Sequence, residues 1–265
     1  IWPLFFRKIR KSLLGKSSLG RYMLYAIGEI LLVVIGILLA LQIDNWNEDR
    51  QMREVEMKTL RDLKVEFTEN LIDARRVYDG NMGVFEATTR LQENAKAGVF
   101  AIEETDSLMF YMFDWFDYTP KPGASNNLIN AGNLNLIQNE ELRYLLTLWS
   151  GVNAELDDDE QLSISYSQNT IVPFLAAHYP ISNLEKYDFT LTHYDIQIGL
   201  NASESLPAQQ AYEPSALLKD PVFMSHVSTK KMHAVHNAME CRRVVESCEE
   251  ILELIEKVLR EQTQP

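Results

Sequence analysis

Residues 22–43, YMLYAIGEILLVVIGILLALQI, form an unbroken apolar run interrupted by a single ionisable side chain, Glu29. Twenty-two residues at 1.5 Å each match the roughly 20 that a helix needs to cross the hydrocarbon core of a bilayer. The run is too long for the apolar part of a cleaved signal, and Ala40-Leu41-Gln42 makes a poor small-x-small cleavage site. An uncleaved membrane anchor is therefore expected, with Tyr22, Tyr25 and Trp46 at the depth where interfacial aromatics sit. The chain opens on Ile1, so further residues upstream are expected.

Charge orients the anchor. Residues 1–21 hold Arg7, Lys8, Arg10, Lys11, Lys16 and Arg21 and no acid, whereas Asp44, Glu48 and Asp49 follow the run closely. The excess of Lys and Arg before the span predicts that residues 1–21 are cytoplasmic and residues 44–265 periplasmic, across a bacterial inner membrane. Trp2, Leu4, Phe5, Phe6, Ile9, Leu13 and Leu14 interleave with those cations, the composition of an amphipathic helix lying on an anionic leaflet. Six of the 25 basic residues lie in this segment, so the remaining 19 face 38 acids, a net charge of −19. A surface that acidic excludes nucleic acid as a partner of the outer domain, because phosphate backbones require a positive face.

Within the span, Glu29 is expected to face protein, since an ionisable group there costs on the order of 2–3 kcal/mol against lipid. Gly28, Gly36 and Ala40 lie eight and four residues apart, a small-residue stripe that admits close helix approach. A single span can find such contacts only in a second copy of the chain or in a membrane-protein partner.

The blocks FFRKIRKSLL and GRYMLYAIGEILLVVIGILLALQIDNWNE, together with NNLINAGNLNLIQNEELRYLL further on, resemble a Bacteroidota family of small membrane proteins of unknown function. The resemblance covers residues 5–50 and 125–146. It implies an inner-membrane anchor carrying a helical periplasmic domain, and no activity, cofactor or site residue.

Periodicity gives the expected outer domain: mainly α, a helical bundle with long helices over residues 47–97, 139–172 and 221–262. In the first, Leu60, Leu63, Phe67, Ala74, Val77, Val84 and Leu91 recur at helical spacing, and Gly80 and Gly83 could kink it. Residues 101–118 read as a short core helix ended by Pro120, Pro122 and Gly123. A short helix over 126–131 should stop at Gly132, and Asn139 should cap the next helix. Pro173 should end that helix and open an irregular stretch, residues 173–220, with room for one or two short strands. Asp220-Pro221 is a helix start. The last helix carries Cys241, Val244, Cys248, Ile251, Ile255 and Val258 on one face, which the first long helix or another subunit must cover. Seven residues of helix hold the two thiols roughly 10 Å apart, too far for a disulfide, so buried thiols are expected.

No constellation for chemistry emerges. Asp157-Asp158-Asp159-Glu160 lacks the alternation of a calcium loop and reads as a solvated acidic face. His226, His233 and His236 share one helix without an evident third metal ligand, and His178 and His193 have no partner motif. Catalytic residues, cofactor and metal are therefore assigned to none. The expected role is a non-enzymatic scaffold that assembles with itself, or an accessory subunit of an envelope complex. The alternative is a ligand-binding sensor module drawing on residues 108–118 and 179–219 and signalling through a partner. The orientation has a direct check: alkaline phosphatase fused after Trp46 should be active, and activity only from a cytoplasmic reporter at that junction would reverse it.

Overall fold

A computed structural model describes residues 18–121, 123–187 and 210–261. The basic segment before Ser18, the suspected strand region beyond Tyr187 and His193 lie outside the described residues. In chain order the helices are α1 (Ser18–Ala97), α2 (Ile102–Phe113), α3 (Ala124–Asn130), α4 (Glu140–Tyr166), α5 (Val172–His178), α6 (Pro214–Leu218) and α7 (Pro221–Glu261). Single turns of 3-10 helix occupy Leu134–Leu136 and Ile181–Lys186, and a π turn occupies Ser167–Ile171. There is no strand among the described residues. The chain divides into two compact units, Ile1–Lys58 and Thr59–Pro265.

In the first unit the apolar run is helical and bare. Its mean hydropathy is 2.5, none of it is buried, and it is long and apolar enough to cross a membrane. The span and the outer helix both belong to α1, because nothing in NWNEDRQM interrupts helical backbone.

In the second unit the α1 stripe is the core. Leu60, Leu63, Phe67, Ala74, Val77 and Leu91 are fully buried, and Val84 nearly so. α7 runs antiparallel to this part of α1, as Lys64–Glu256, Arg75–Glu249 and the Gln92–Ser228 contact show. α4 packs antiparallel on α7 and meets α1 through Phe67 and Trp149, whose rings lie 4.8 Å apart.

The caps follow local chemistry. Gly98 and Gly132 take φ of 71° and 67°, a left-handed conformation that only glycine adopts cheaply. At Gly132 the amides of Gly132 and Asn133 return to the carbonyls of Ile129 and Leu128, the double closure that ends α3. The Asn139 side chain accepts from the Leu142 amide at 2.8 Å, and the Asp220 side chain from Val222 at 2.7 Å.

Three expectations need correction. Pro173 does not end the helix: it occupies the first turn of α5, and the wide π turn just before it absorbs the missing donor and the ring's bulk. Helical residues thus extend from Glu140 to His178, and the stretch 173–220 also contains α6. α2 stops at Phe113, seven residues before Pro120, so residues 114–118 are irregular rather than helical, with Asp114 extended. Gly80 and Gly83 leave α1 unbroken.

The irregular strap over residues 114–121 has no neighbouring strand among the described residues, and side chains accept from several of its amides. Glu160 accepts from Tyr118 at 3.0 and 3.2 Å, Asp73 from Thr119 at 3.4 Å and Asn70 from Lys121 at 2.8 Å. Glu66 accepts from Gly123 and Ser125 at 3.2 and 3.1 Å and from the Ser125 hydroxyl. Glu66, Asn70 and Asp73 are spaced four and three residues apart, so they line one ridge of α1. The strap's Phe116 ring lies where a β-carbon on Gly80 would be.

That notch separates the two glycines. Gly80→Val should destabilise the second unit by about 1–3 kcal/mol through displacement of Phe116. Gly83, with open space around it, should gain about 0.5–1 kcal/mol as alanine. Chemical unfolding of both variants is the check; equal effects would mean that Phe116 has no fixed seat.

Candidate functional site

The second unit buries a line of polar groups between α4 and α7, where apolar side chains would pack at less cost. Glu160, Ser163 and Ser167 follow one another at three- and four-residue spacing on α4 and the π turn, with exposures of 1%, 5% and 3%. Opposite them on α7 are Lys230 and Asn237, each 2% exposed.

Lys230 is the anomaly of the seam. Its Nζ donates to the Ser167 Oγ at 2.9 Å, and that hydroxyl donates onward to the Ser163 carbonyl at 2.9 Å. Burial lowers the lysine to about 8, against which the carboxylate of Asp114 on the strap acts to raise it. The π turn determines where Ser167 stands on the helix face, and Pro173 accounts for the turn. Wide turns of this kind recur at functional sites.

Aromatic and imidazole rings flank the lysine. The Tyr166 hydroxyl and His226 Nδ1 are 2.8 Å apart, and Tyr166 lies 5.5 Å from the His233 ring. Burial first, then the neighbouring Lys230, lowers His233 below its ordinary value. His178 stacks on Phe174 at 4.3 Å. His236 is exposed. The histidines on α7 are thus distributed between ring contacts and solvent, and no group of three His, Cys, Asp or Glu able to hold a metal occurs among the described residues.

At the other end of the seam, burial pushes Glu160 up to about 8, reinforced by Asp117, Asp157 and Asp73, while the Tyr118 amide acts to lower it. The acidic run read as a solvated face therefore needs a correction at its last member. Asp157 and Asp158 are exposed and Asp159 half-buried, but Glu160 points into the core. A second buried carboxyl, Asp106, accepts from Tyr179 at 2.8 Å and Tyr212 at 2.7 Å and ties the chain after residue 209 to α2.

Cys241, Val244, Cys248, Ile251 and Ile255 are completely buried, while Val258 is only partly so. Both thiols are free; Cys241 donates to the Ala74 carbonyl at 2.9 Å, and burial pushes each thiol up to about 12. In the first unit, Glu29 and Ala40 are exposed, and a β-carbon on Gly28 or Gly36 would meet nothing within 4 Å. The aromatic segment singled out as a possible pocket wall is divided: Met109 and Met112 are core, Tyr111 is exposed and Trp115 half-buried.

Fold and site together define a mainly helical protein with one membrane-length apolar helix near its N-terminus and a polar seam inside its second unit. The chain belongs to the family of unknown function DUF6090, whose model matches residues 29–171. That match starts at Glu29 and ends with the π turn, so Ser167 lies within it and Lys230 beyond it. No curated protein and no solved structure matches the chain.

The seam carries a pH signature. The unfolded chain binds more protons than the folded one between about 8 and 10.5, because burial disfavours charged Lys230; stability from this group therefore rises with pH across that window. The full difference corresponds to roughly 3 kcal/mol. Lys230→Met should raise the thermal midpoint at pH 7 and flatten the rise between pH 8 and 10.5. A lower midpoint at pH 7 would show that the Ser167 contact outweighs the burial cost.

Proposed function

We propose that this is a single-pass inner-membrane protein that works by assembly rather than catalysis, as a scaffold with itself or as an accessory subunit of an envelope complex. Its N-terminus is cytoplasmic, and its second unit lies in the periplasm. The observation that carries the reading is the bare apolar helix. From Tyr22 to Ile43 the large apolar side chains whose exposure is described keep between 45% and 78% of their surface, a face that water does not tolerate and lipid does. Glu29 has no place in lipid at that depth. Beside it, Gly28 and Gly36 leave the backbone open to close approach by another helix.

The seam of the second unit fits a non-catalytic role. Ser167 and Lys230 have the spacing of a nucleophile and its base, but with 3% and 2% exposure neither meets solvent. A nucleophile has to reach its substrate, and this one is enclosed by packed helices.

Glu29→Leu tests the assembly. In mild detergent the wild-type protein should run above monomer mass or retain a co-purifying partner, and the variant should lose that association while inserting as well or better. A wild-type monomer with nothing bound at micromolar concentration would overturn the proposal. An unchanged profile for the variant would remove Glu29 from it.

A further inference from the structure

The strap over residues 114–121, and the chain at Gly123 and Ser125, are held by carboxyl groups at four amides and one hydroxyl, but those carboxyls are not equivalent. Asp73 is compensated by Arg76, which reaches it at 2.8 Å and also donates to the Asp117 carbonyl at 3.0 Å. Glu66 receives two amides and a hydroxyl. Glu160 is 1% exposed, and both its oxygens share a single donor, the Tyr118 amide. The groups that act on it are Asp73 on α1, Asp117 on the strap and Asp157 on its own helix, and Cys241 on α7 feels its charge. Three of them are carboxylates, and Arg76, beside Asp73 on α1, is engaged with Asp73 and the Asp117 carbonyl. Tyr118 adds a second tension: its ring is 5% exposed and its hydroxyl is buried without a hydrogen-bond partner.

We infer that Glu160 is a protonation latch on the strap: its neutral carboxyl can stay buried with Tyr118 between α1, α4 and α7, and its ionisation loosens residues 114–121. An ionised Glu160 in the closed state would be a negative charge in a dry site, with one amide to meet it and three carboxylates at its margin. Opening hydrates it and lets Tyr118 carry its orphaned hydroxyl to water. The inference rests on the second unit alone and holds whether or not the span assembles.

The direction follows from proton binding. Between the ordinary value of 4.5 and about 8, the closed strap holds a proton that the open one releases. Closure is therefore firmest in acid, weakens as pH rises through that window and levels off above it. Hydrogen exchange of the full-length protein in mild detergent, corrected for the intrinsic rate at each pH, reads this at the amides of Tyr118, Thr119, Lys121 and Gly123. Strap protection should fall by up to about tenfold per pH unit between pH 5.5 and 7.5. A control peptide over residues 140–150 should stay flat. Glu160→Gln should abolish the slope, and Asp117→Asn, on an exposed side chain, should move the levelling-off to lower pH. If Glu160→Gln does not fold, the wild-type series and Asp117→Asn still decide. Strap protection that tracks the control peptide, or a slope that survives in Glu160→Gln, would overturn the latch.

Discussion

An extended segment crossing the face of a helix must satisfy its amides without a neighbouring strand, and the second unit is organised around that requirement. Residues 114–121 carry no ladder of their own, so α1 lends Asn70 and Asp73 as acceptors, with Glu66 at Gly123 just beyond, and α4 lends Glu160. A buried unpaired amide costs on the order of 1–3 kcal/mol, so the acceptors and the strap depend on one another. The arrangement fixes which face of α1 looks toward the strap and why Gly80 is bare. Glu66 also accepts from the amides of Gly123 and Ser125 at the start of α3, so one side chain both secures the strap and begins the next helix.

The same interior accepts polar groups that an apolar core would have excluded. Lys230 and Glu160 lie at opposite ends of the α4–α7 seam, and burial brings both to about 8 from opposite directions. Their effects on stability occupy adjoining pH windows of opposite sign: Glu160 favours the acid side of 8, and Lys230 stops penalising the fold on the alkaline side. Ser167 reaches Lys230 from a π turn, and the π turn is there because Pro173 cannot donate to the helical ladder. A single proline thus connects backbone geometry to the environment of a lysine 57 positions away in the chain.

Much of the architecture was legible beforehand. Helical periodicity identified Leu60, Leu63, Phe67, Ala74, Val77, Val84 and Leu91 as a stripe, and all seven are buried, because a helix of that length exposes its apolar face only at great cost. Asn139, Asp220 and Gly132 were readable as helix ends, since caps depend on side chains within four residues. The reading failed where the deciding partner was distant. Residues 114–118 have the composition of a core helix, but α2 ends at Phe113 and the Tyr118 amide finds its acceptor in Glu160, 42 positions away. Pro173 was read as a stop because the local rule is strong; a π turn relaxed it. Glu160 looked like the end of a solvated run, since neighbouring acids mask the one whose helical phase points inward.

The sequence by itself determined the membrane-length apolar helix at residues 22–43, the charge asymmetry around it, the helical class, the caps and the apolar stripes. Each of these is a property of contiguous residues, set by hydrophobic length, spacing or local hydrogen bonding. Only the tertiary structure decided that Glu160 and Lys230 are buried, that Ser167 lies 2.9 Å from Lys230, and that Phe116 fills the notch at Gly80. Burial and pairing of this kind depend on which helix faces meet. That is a sum over many weak contacts distant in the chain, and no single segment encodes it.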